Sequence, residues 1–541
     1  MIQNKMDFSM YINKFFTYLL AILALSGCTV GNYVGDSDWS VSDDAFVGTP
    51  ADLKQIQTSN VYGTYEDDIN HRIAVLLPLS GTNAQIGKSI RQSVELAVLE
   101  RKTPDISVSF YDTYGNMNDA ATNALATNPD IIIGPLFAQN AHILKKNKLS
   151  ETPVLSLTSD ANAVGDGVMS MALMPTNGVE EIVKQIKSDD IKNFIIIAPD
   201  TNSGRMMAGT AKIAANAYEM PLIGIFYYTE KDSDSIKNAA LSASMYNTRT
   251  AAHTRARQVI SDVLTNETLS PIEKSNLYTQ LEKLEKTETV GNVPFDGVLF
   301  LGNGDDTKAL ASFLRYYNVG ARDAAFYGTT MWDGSDIASD YTLSGAKYAT
   351  LPATNTEFAT TYEQVYGVAP NRLAGFGYDA TNFAIGMIHS NKSNSEYLLS
   401  PSGYIGTDGI FRIKQNGSNE RALRIMQLNG SGTPSEIRPA QTNFITPIYS
   451  IDPTEITPAS AMELETIGID PDDYIRLPER FRDKYRSKTI GANIKTKTTP
   501  IQENIVTVES DNTVIKPAEF ESAKQESVKR TYIDEYEIIE D

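Results

Sequence analysis

The chain has 541 residues, of which 41% are hydrophobic and 21% are charged, and its formal net charge is −20. This composition suits a globular protein with a buried core and room for about two to four domains. The acidic balance argues against a nucleic-acid partner, because phosphate binding needs a basic surface, and against adsorption to anionic lipid.

A short apolar run, residues 15–25, has lysines on its N-terminal side and ends in Leu-Ser-Gly before Cys28, the only cysteine. The run is too short to span a ~30 Å hydrocarbon layer, and the pattern is typical of a secretory signal. The small residues before the cysteine resemble the lipobox of bacterial lipoproteins. That resemblance implies a signal peptide at 1–27 and lipidation of Cys28. The alternative is a chance cysteine beside an ordinary signal.

Residues 28–70 are rich in Asp, Ser, Gly and Thr and have little apolar periodicity. This composition predicts a flexible tether. No later apolar run is long enough to predict a transmembrane helix, so we expect the body to be held at the membrane by lipid alone.

From residue 72, short apolar strands alternate with helical patterns. The predicted strands of the first set are 73–79, 106–110, 131–133 and 153–157, with helices at 86–97, 118–127 and 140–149. The pattern restarts after Pro175. The second set has predicted strands at 194–197, 222–228 and 298–301, with helices at 178–187, 203–219 and 305–317. The alternation predicts βαβ units and two α/β lobes with parallel sheets, in which ligands bind beyond the carboxyl ends of the strands.

Two segments break this rhythm. Residues 232–290 lack a strand pattern and have helical patterns at 255–264 and 271–285, which predict a helical hairpin inserted into the second lobe. The hairpin is either a packing element or an arm that docks a partner. Residues 451–541 are rich in Thr, Glu, Lys, Asp and Pro, and we expect them to be mostly disordered, with a short helix within 471–485.

Motifs spread in order over residues 72–428 resemble the leucine-binding branch of the type I periplasmic binding proteins. The segments that carry the resemblance are 74–81, 111–113, 133–136, 153–156, 328–333, 378–380 and 406–412. The Leu-Leu-Pro-Leu-Ser-Gly start, the Gly-Pro-Leu turn and the Trp-Asp pair resemble the lipoprotein penicillin-binding protein activators within that superfamily. No helical repeat between Cys28 and residue 72 corresponds to the tetratricopeptide-like domain of the best-known activators.

The resemblance implies an α/β, type I periplasmic-binding-protein fold at 71–450, with two Rossmann-like lobes joined by a three-strand hinge. Lobe one would comprise about 71–175 plus 329–405. Lobe two would comprise about 176–328 plus 406–430, with the helical-hairpin insertion at about 232–290. The flexible tether at 28–70 and the mostly disordered tail at 451–541, both predicted from composition, would flank this fold.

The sequence offers little material for catalysis. The four histidines have no Asp or Ser at a telling interval, and the chain has no His-Glu-x-x-His, Gly-x-Ser-x-Gly or phosphate-loop motif. The histidines are His71, His142, His253 and His389. We therefore expect no enzyme, no metal site and no cofactor.

Residues that follow predicted strands are better candidates for ligand contacts in the cleft. They are Ser80, Thr82, Leu136, Phe137, Leu157 and Ser159 in lobe one, Asn202, Arg205 and Glu230 in lobe two, and Trp332 near the predicted crossing. In the leucine-binding branch, positions matching Leu157 and Ser159 hold an amino acid's carboxylate, and Glu230 matches a position that can hold its ammonium. These residues also suit ordinary turns at strand ends. Trp332 either lines the cleft or fills the core near the hinge.

The functional expectation is a non-enzymatic lipoprotein of the outer membrane that faces the periplasm and binds and stimulates a peptidoglycan synthase. The residue after Cys28 is Thr29, whereas an Asp there typically retains Gram-negative lipoproteins in the inner membrane. The alternative is a lipid-anchored solute-binding receptor of an ABC transporter, for amino acids or another small molecule.

Overall fold

The computed structural model describes residues 70–146, 152–390, 394–444, 456–462, 464 and 474–485. The chain divides into two units, residues 1–491 and 492–541, and every described residue lies in the first. The predicted leader, Cys28 and nearly all of the predicted tether lie outside the described residues, as does the chain beyond residue 485.

The first predicted set of strands forms one parallel sheet. Its strands are β1 (His71–Leu77), β2 (Ile106–Asp112), β3 (Ile131–Ile133), β4 (Val154–Ser156) and β5 (Val168–Ser170). They lie in the order β2-β1-β3-β4-β5. The connecting helices are α1 (Ala84–Arg101), α2 (Met117–Leu125) and α3 (Ala138–Lys146).

Alternate residues of β1 point to opposite faces of this sheet, as strand geometry requires. Ile73 and Val75 pack in the same core as Ile90 of α1, whereas Leu76 packs in the core that contains Met117 of α2. Both faces are therefore covered by helices, which is why the strand is a continuous apolar run.

The second predicted set forms lobe two. Its first strands are β6 (Phe194–Pro199), β7 (Leu222–Tyr228), β8 (Gly297–Phe300), β9 (Ala325–Gly328) and β10 (Lys347–Thr350). Its helices are α4 (Pro175–Ser188), α5 (Asn202–Ala217), α6 (Ser233–Ala243), α7 (Tyr246–Leu264), α8 (Pro271–Glu285) and α9 (Gly304–Tyr316). All pairings among these five strands are parallel.

After β10 the chain returns to lobe one and then crosses back. The returning elements are α10 (Thr356–Tyr366), α11 (Arg372–Ile388), α12 (Asn394–Leu398) and the antiparallel strands β11 (Tyr404–Gly406), β12 (Gly409–Ile413) and β13 (Asn419–Arg421). Helix α11 packs against α1. The last strands are β14 (Arg424–Gln427) and β15 (Ser435–Arg438), which complete the lobe-two sheet in the order β15-β14-β10-β9-β8-β6-β7.

The chain changes lobes at other positions than the sequence predicted. The second crossing was expected near 329–332 and the third near Gly406, but they lie at 351–355 and 422–423, respectively. The reason is β10, whose sequence Lys-Tyr-Ala-Thr has no continuous apolar run. It is nevertheless a central strand of lobe two, paired with β9 and β14.

The insertion also begins later than predicted. The segment from 233 forms α6, whose Ile236 and Ala240 pack in the core of lobe two, so this helix is part of the regular lobe. Its helical pattern is weak because most of its residues are Ala, Ser or Asn. The inserted hairpin is therefore α7 and α8, with a small core of its own that contains Leu277 and Leu284.

Part of the predicted disordered tail is folded. Residues 456–462, here called the strap, lie against lobe two, where Ile456 and Ala459 are buried and Met462 bridges to Ile225 of β7. Residues 474–485 pack on the hairpin and include α13 (Glu479–Tyr485). The short helix predicted within 471–485 is thus present. The strap was not predicted, because its isolated apolar residues give no periodic pattern and fill a surface that other elements have already formed.

Candidate functional site

The predicted cleft residues follow the carboxyl ends of the parallel strands in the two sheets. Those of lobe one follow β1, β3 and β4, and those of lobe two follow β6, β7 and β9 or begin α5. Each set thus shares the edge of its own sheet, as the topology of open α/β sheets requires.

The loop after β1 is organised by a carboxylate that the sequence analysis did not select. Asp112, at the end of β2, accepts hydrogen bonds from the Leu79 amide at 2.8 Å, the Ser80 hydroxyl at 2.5 Å and the Tyr114 amide at 3.0 Å. Burial tends to raise the pKa of Asp112, but these hydrogen bonds outweigh it and lower the pKa. The donor of Ser80 is therefore already engaged, while Thr82 in the same loop is exposed.

Tyr114 is a second lobe-one residue that the sequence analysis missed. Its ring lies against Gly81, where an added Cβ would come within 2.1 Å of the ring, and 57% of the residue is exposed. The backbone φ of Gly81 is +74°, a value that favours glycine. A glycine four residues after the end of β1 was the available signal for a close neighbour.

Only some of the predicted site residues in the loops after β3 and β4 are exposed to solvent. Phe137 is 38% exposed and Ser159 is exposed, whereas Leu136 packs against the core and Leu157 is buried within it. The side chain of Leu157 therefore stabilises lobe one, and its backbone amide donates to the Pro135 carbonyl at 2.9 Å.

In lobe two, Arg205 is held by neighbours on three sides. Its Nε lies 2.6 Å from Asp200 Oδ1, its guanidinium lies 4.4 Å from the centre of the Tyr227 ring, and its Nη1 donates to the Ala459 carbonyl of the strap at 3.3 Å. The strap thus contacts the first turn of α5, which follows the carboxyl end of β6. Asn202 and Glu230 are exposed.

Trp332 fills the core of lobe two and does not line the cleft. It is 1% exposed, its ring lies 5.6 Å from that of Tyr348, and Gly328 provides the space beneath it. Of the two alternatives for this residue, the core position is the observed one.

A buried polar cluster lies where the crossings meet, and we call Asp379, Thr407, Asp408 and Arg421 the hinge cluster. The Thr407 amide and hydroxyl donate to the two carboxylate oxygens of Asp379 at 2.8 and 3.2 Å. Burial raises the pKa of Asp379 to about 7, although Arg421 acts in the opposite direction. The motifs around residues 379 and 408 contributed to the family resemblance, but the sequence did not indicate that they meet.

One exposed ion pair connects the lobes beside this cluster. Arg372, the first residue of α11 in lobe one, lies 3.3 Å from the carboxylate of Asp333, which follows β9 in lobe two. The Thr350 hydroxyl donates to the same oxygen of Asp333 at 2.5 Å.

Within the residues described, no helix is long and apolar enough to cross a membrane. The same residues contain no group of three or more His, Cys, Asp or Glu side chains arranged to hold a metal ion.

Comparison with known families confirms the resemblance. Residues 45–265 match the family described as "LppC putative lipoprotein". The protein named penicillin-binding protein activator LpoA from Mannheimia succiniciproducens is 25% identical over 166 residues, which cover 30% of this chain and 29% of the relative. The protein of the same name from Vibrio vulnificus is 24% identical over 167 residues, which cover 29% and 28%. The match thus spans less than a third of either relative.

The likeness to one solved structure confirms the fold. A structure described as a "putative branched-chain amino acid ABC transporter" from Rhodospirillum rubrum is 15% identical, covers 68% of this chain and 99% of its own, and has a TM-score of 0.50. The C-domain of LpoA from Haemophilus influenzae, described as a regulator of PBP1A, is 16% identical with the same coverages and a TM-score of 0.46. The fold is the predicted type I periplasmic-binding-protein fold. The family match also agrees with a lipoprotein that faces the periplasm.

Proposed function

We propose that this chain, which is similar to the LppC lipoproteins over residues 45–265, is a non-enzymatic lipoprotein that binds and stimulates a peptidoglycan synthase. The observation that carries the proposal is the name that its two curated relatives share, penicillin-binding protein activator. The lipid would be attached at Cys28, and the predicted tether would let the folded body reach its partner from the outer membrane.

Three of the predicted cleft residues favour a role in contact with a partner protein over a role as a solute receptor. Ser80 donates to Asp112, Arg205 is paired with Asp200 and the strap, and Trp332 is buried. These three candidates are thus committed to intramolecular contacts. A solute receptor would instead need such groups to be available for its ligand, because recognition of an amino acid depends on free donors and acceptors.

The test is a peptidoglycan polymerisation assay with a purified class A penicillin-binding protein from the same organism, with and without the full chain carrying Cys28→Ser. We expect direct binding and a several-fold higher rate of glycan synthesis, with no product when the chain is present alone. The matched control is the same chain after heat unfolding.

Two outcomes would contradict the proposal. One is an unchanged rate together with no binding at micromolar concentrations. The other is a clear thermal shift with leucine or a related amino acid, because a ligand at 100 times its Kd stabilises a protein by about 2.7 kcal/mol. That second result would favour the solute receptor.

A further inference from the structure

The hinge cluster connects all three crossings between the lobes. Arg421, at the end of β13, donates from Nη2 to the carbonyl of Met171 in the first crossing, which is the segment 171–174 between β5 and α4. Thr354, in the second crossing, donates to Asp408 Oδ1 at 2.8 Å. A rearrangement within this cluster would therefore act on every segment that joins the lobes.

Arg421 is a cation in an unusual position for its charge. It is 4% exposed, and its guanidinium lies 4.6 Å from the centre of the Phe376 ring and 5.0 Å from that of Phe411. Asp379 and Asp408 are the charged groups that act on it electrostatically. A buried guanidinium is stable only when carboxylates and hydrogen-bond acceptors compensate for the water it has lost.

The hydrogen bonding of the cluster is incomplete. Among the described residues, Nε and Nη1 of Arg421 and Oδ2 of Asp408 are buried without a hydrogen-bond partner. By contrast, both carboxylate oxygens of Asp379 are bonded to Thr407. Buried donors and acceptors without partners are costly, and here unused donors and an unused acceptor occur in the same cluster.

We propose that the hinge cluster is a two-position lock for the angle between the lobes. In the position described here, Arg421 holds the Met171 carbonyl. In the second position, the free nitrogens of Arg421 pair with Asp408, the bond to Met171 is released, and the first crossing moves relative to the other two.

Two glycines give the cluster the close packing that such a lock requires. An added Cβ at Gly406 would come within 2.5 Å of Asp379 Oδ2, and one at Gly375 would come within 2.7 Å of the Thr407 hydroxyl. Side chains at either position would displace the groups that hold Asp379. The exposed pair Arg372–Asp333 joins the two lobes beside the cluster, so a change of angle would break or remake it.

The lock is tested by measuring the distance between the lobes. Spin labels are placed on the exposed residues Lys88 of α1 and Lys237 of α6, using Lys88→Cys and Lys237→Cys in the full chain with Cys28→Ser. Double electron–electron resonance should give two distance populations for the otherwise unaltered chain. The synthase is absent from this experiment, so its result is independent of the proposed function.

Two variants should shift the populations in opposite directions. Asp408→Asn removes the carboxylate that pairs with Arg421 in the second position. It should lower the fraction of molecules in that position about fivefold, the factor that one buried hydrogen bond typically supplies. Thr354→Val removes the bond that holds Asp408 and should enrich the second population by a similar factor. Glu95→Gln is the matched control: it alters a buried carboxyl within lobe one, where Glu95 pairs with Arg91, and should change neither population.

Circular dichroism and thermal unfolding establish that each variant is folded. If Asp408→Asn does not fold, Thr354→Val alone still tests the direction of the shift. A single distance population that is identical in the unaltered chain and in the folded variants would overturn the lock.

Discussion

The protonation of Asp379 depends strongly on its surroundings. It lies on α11, faces Arg421 of β13 and Asp408 of the turn before β12, and is 4% exposed. Burial raises the pKa of its carboxyl to about 7, because the charged form loses its hydration. Glu95, within lobe one, also has its pKa raised to about 7 by burial, against the effect of Arg91. These two carboxyls make stability depend on pH in an unusual range.

As pH rises from 4 to 7, we expect the free energy of unfolding to fall less in Asp379→Asn than in the unaltered chain. A carboxyl whose pKa is higher in the folded than in the unfolded chain binds its proton more tightly when folded. Its contribution is thus fully present below the unfolded pKa of about 3.9 and is lost as pH rises through about 7. The side chain in the variant does not ionise, so this contribution to the pH dependence of stability is absent. Urea unfolding at several pH values measures the effect, which should amount to a few kcal/mol.

Glu95→Gln provides the comparison for this pH series. It should remove a similar slope, and the double variant should have the flattest profile of the set. An Asp379→Asn profile that matches that of the unaltered chain would show that the carboxyl is ionised in the fold throughout this range.

At the scale of elements, the C-terminal segments are integral to lobe two and to the hairpin. The strap crosses α5 closely enough that a Cβ at Gly209 would lie 2.3 Å from the Thr457 carbonyl oxygen. Ile475, Leu477 and Phe481 contribute to the core of the hairpin. The hairpin is therefore packed on one side by the chain's own C-terminal segment, which supports the interpretation of the insertion as a packing element.

Phe481→Ala should destabilise the hairpin by about 3 kcal/mol, because it leaves a cavity in a small core. Hydrogen exchange of the amides in α7 and α8 should become faster, while that of α1 in lobe one stays the same. Asp483→Ala, on the exposed side of α13, is the matched control and should leave both rates unchanged. Equal protection of α7 and α8 in the two variants would mean that the hairpin does not depend on α13.

At the scale of the whole molecule, two lobes are connected by three crossings that are bonded to one another. The Arg424 side chain donates to the Leu351 carbonyl at 3.0 Å, and the Asn355 amide donates to the Thr407 carbonyl at 2.7 Å. A clamshell of this kind moves mainly at its hinge, because the packed lobes resist deformation. The proposed attachment to a membrane is a separate hypothesis, which concerns the N-terminal segment outside the described residues.

Thr29→Asp should move the protein from the outer-membrane to the inner-membrane fraction, since an Asp after the lipidated cysteine typically causes retention. Thr29→Ser should leave the distribution unchanged, and Cys28→Ser should remove the protein from both membranes. Sucrose-gradient fractionation followed by immunoblotting measures the three outcomes. Recovery of the unaltered chain in the inner membrane would contradict the proposed location.

The sequence alone was sufficient for the two α/β sets and for most element positions, because buried parallel strands are continuous apolar runs such as 194–197 and 131–133. It also indicated the helical hairpin and the edge of each sheet where ligand-facing loops lie. These features depend on residues that are close in sequence, so the local periodicity of apolar residues predicts them.

Only the tertiary structure decided which residues are available in the cleft and where the hinge lies. Ser80 is engaged by Asp112, which is 32 residues away, and Arg421 reaches Met171 across 250 residues. The strand β10 and the strap are held by contacts with elements that are distant in sequence, so neither produces a local pattern. Pairing and burial between elements that are distant in sequence produce no periodic pattern along the chain. The hinge cluster could therefore be identified only from the tertiary structure.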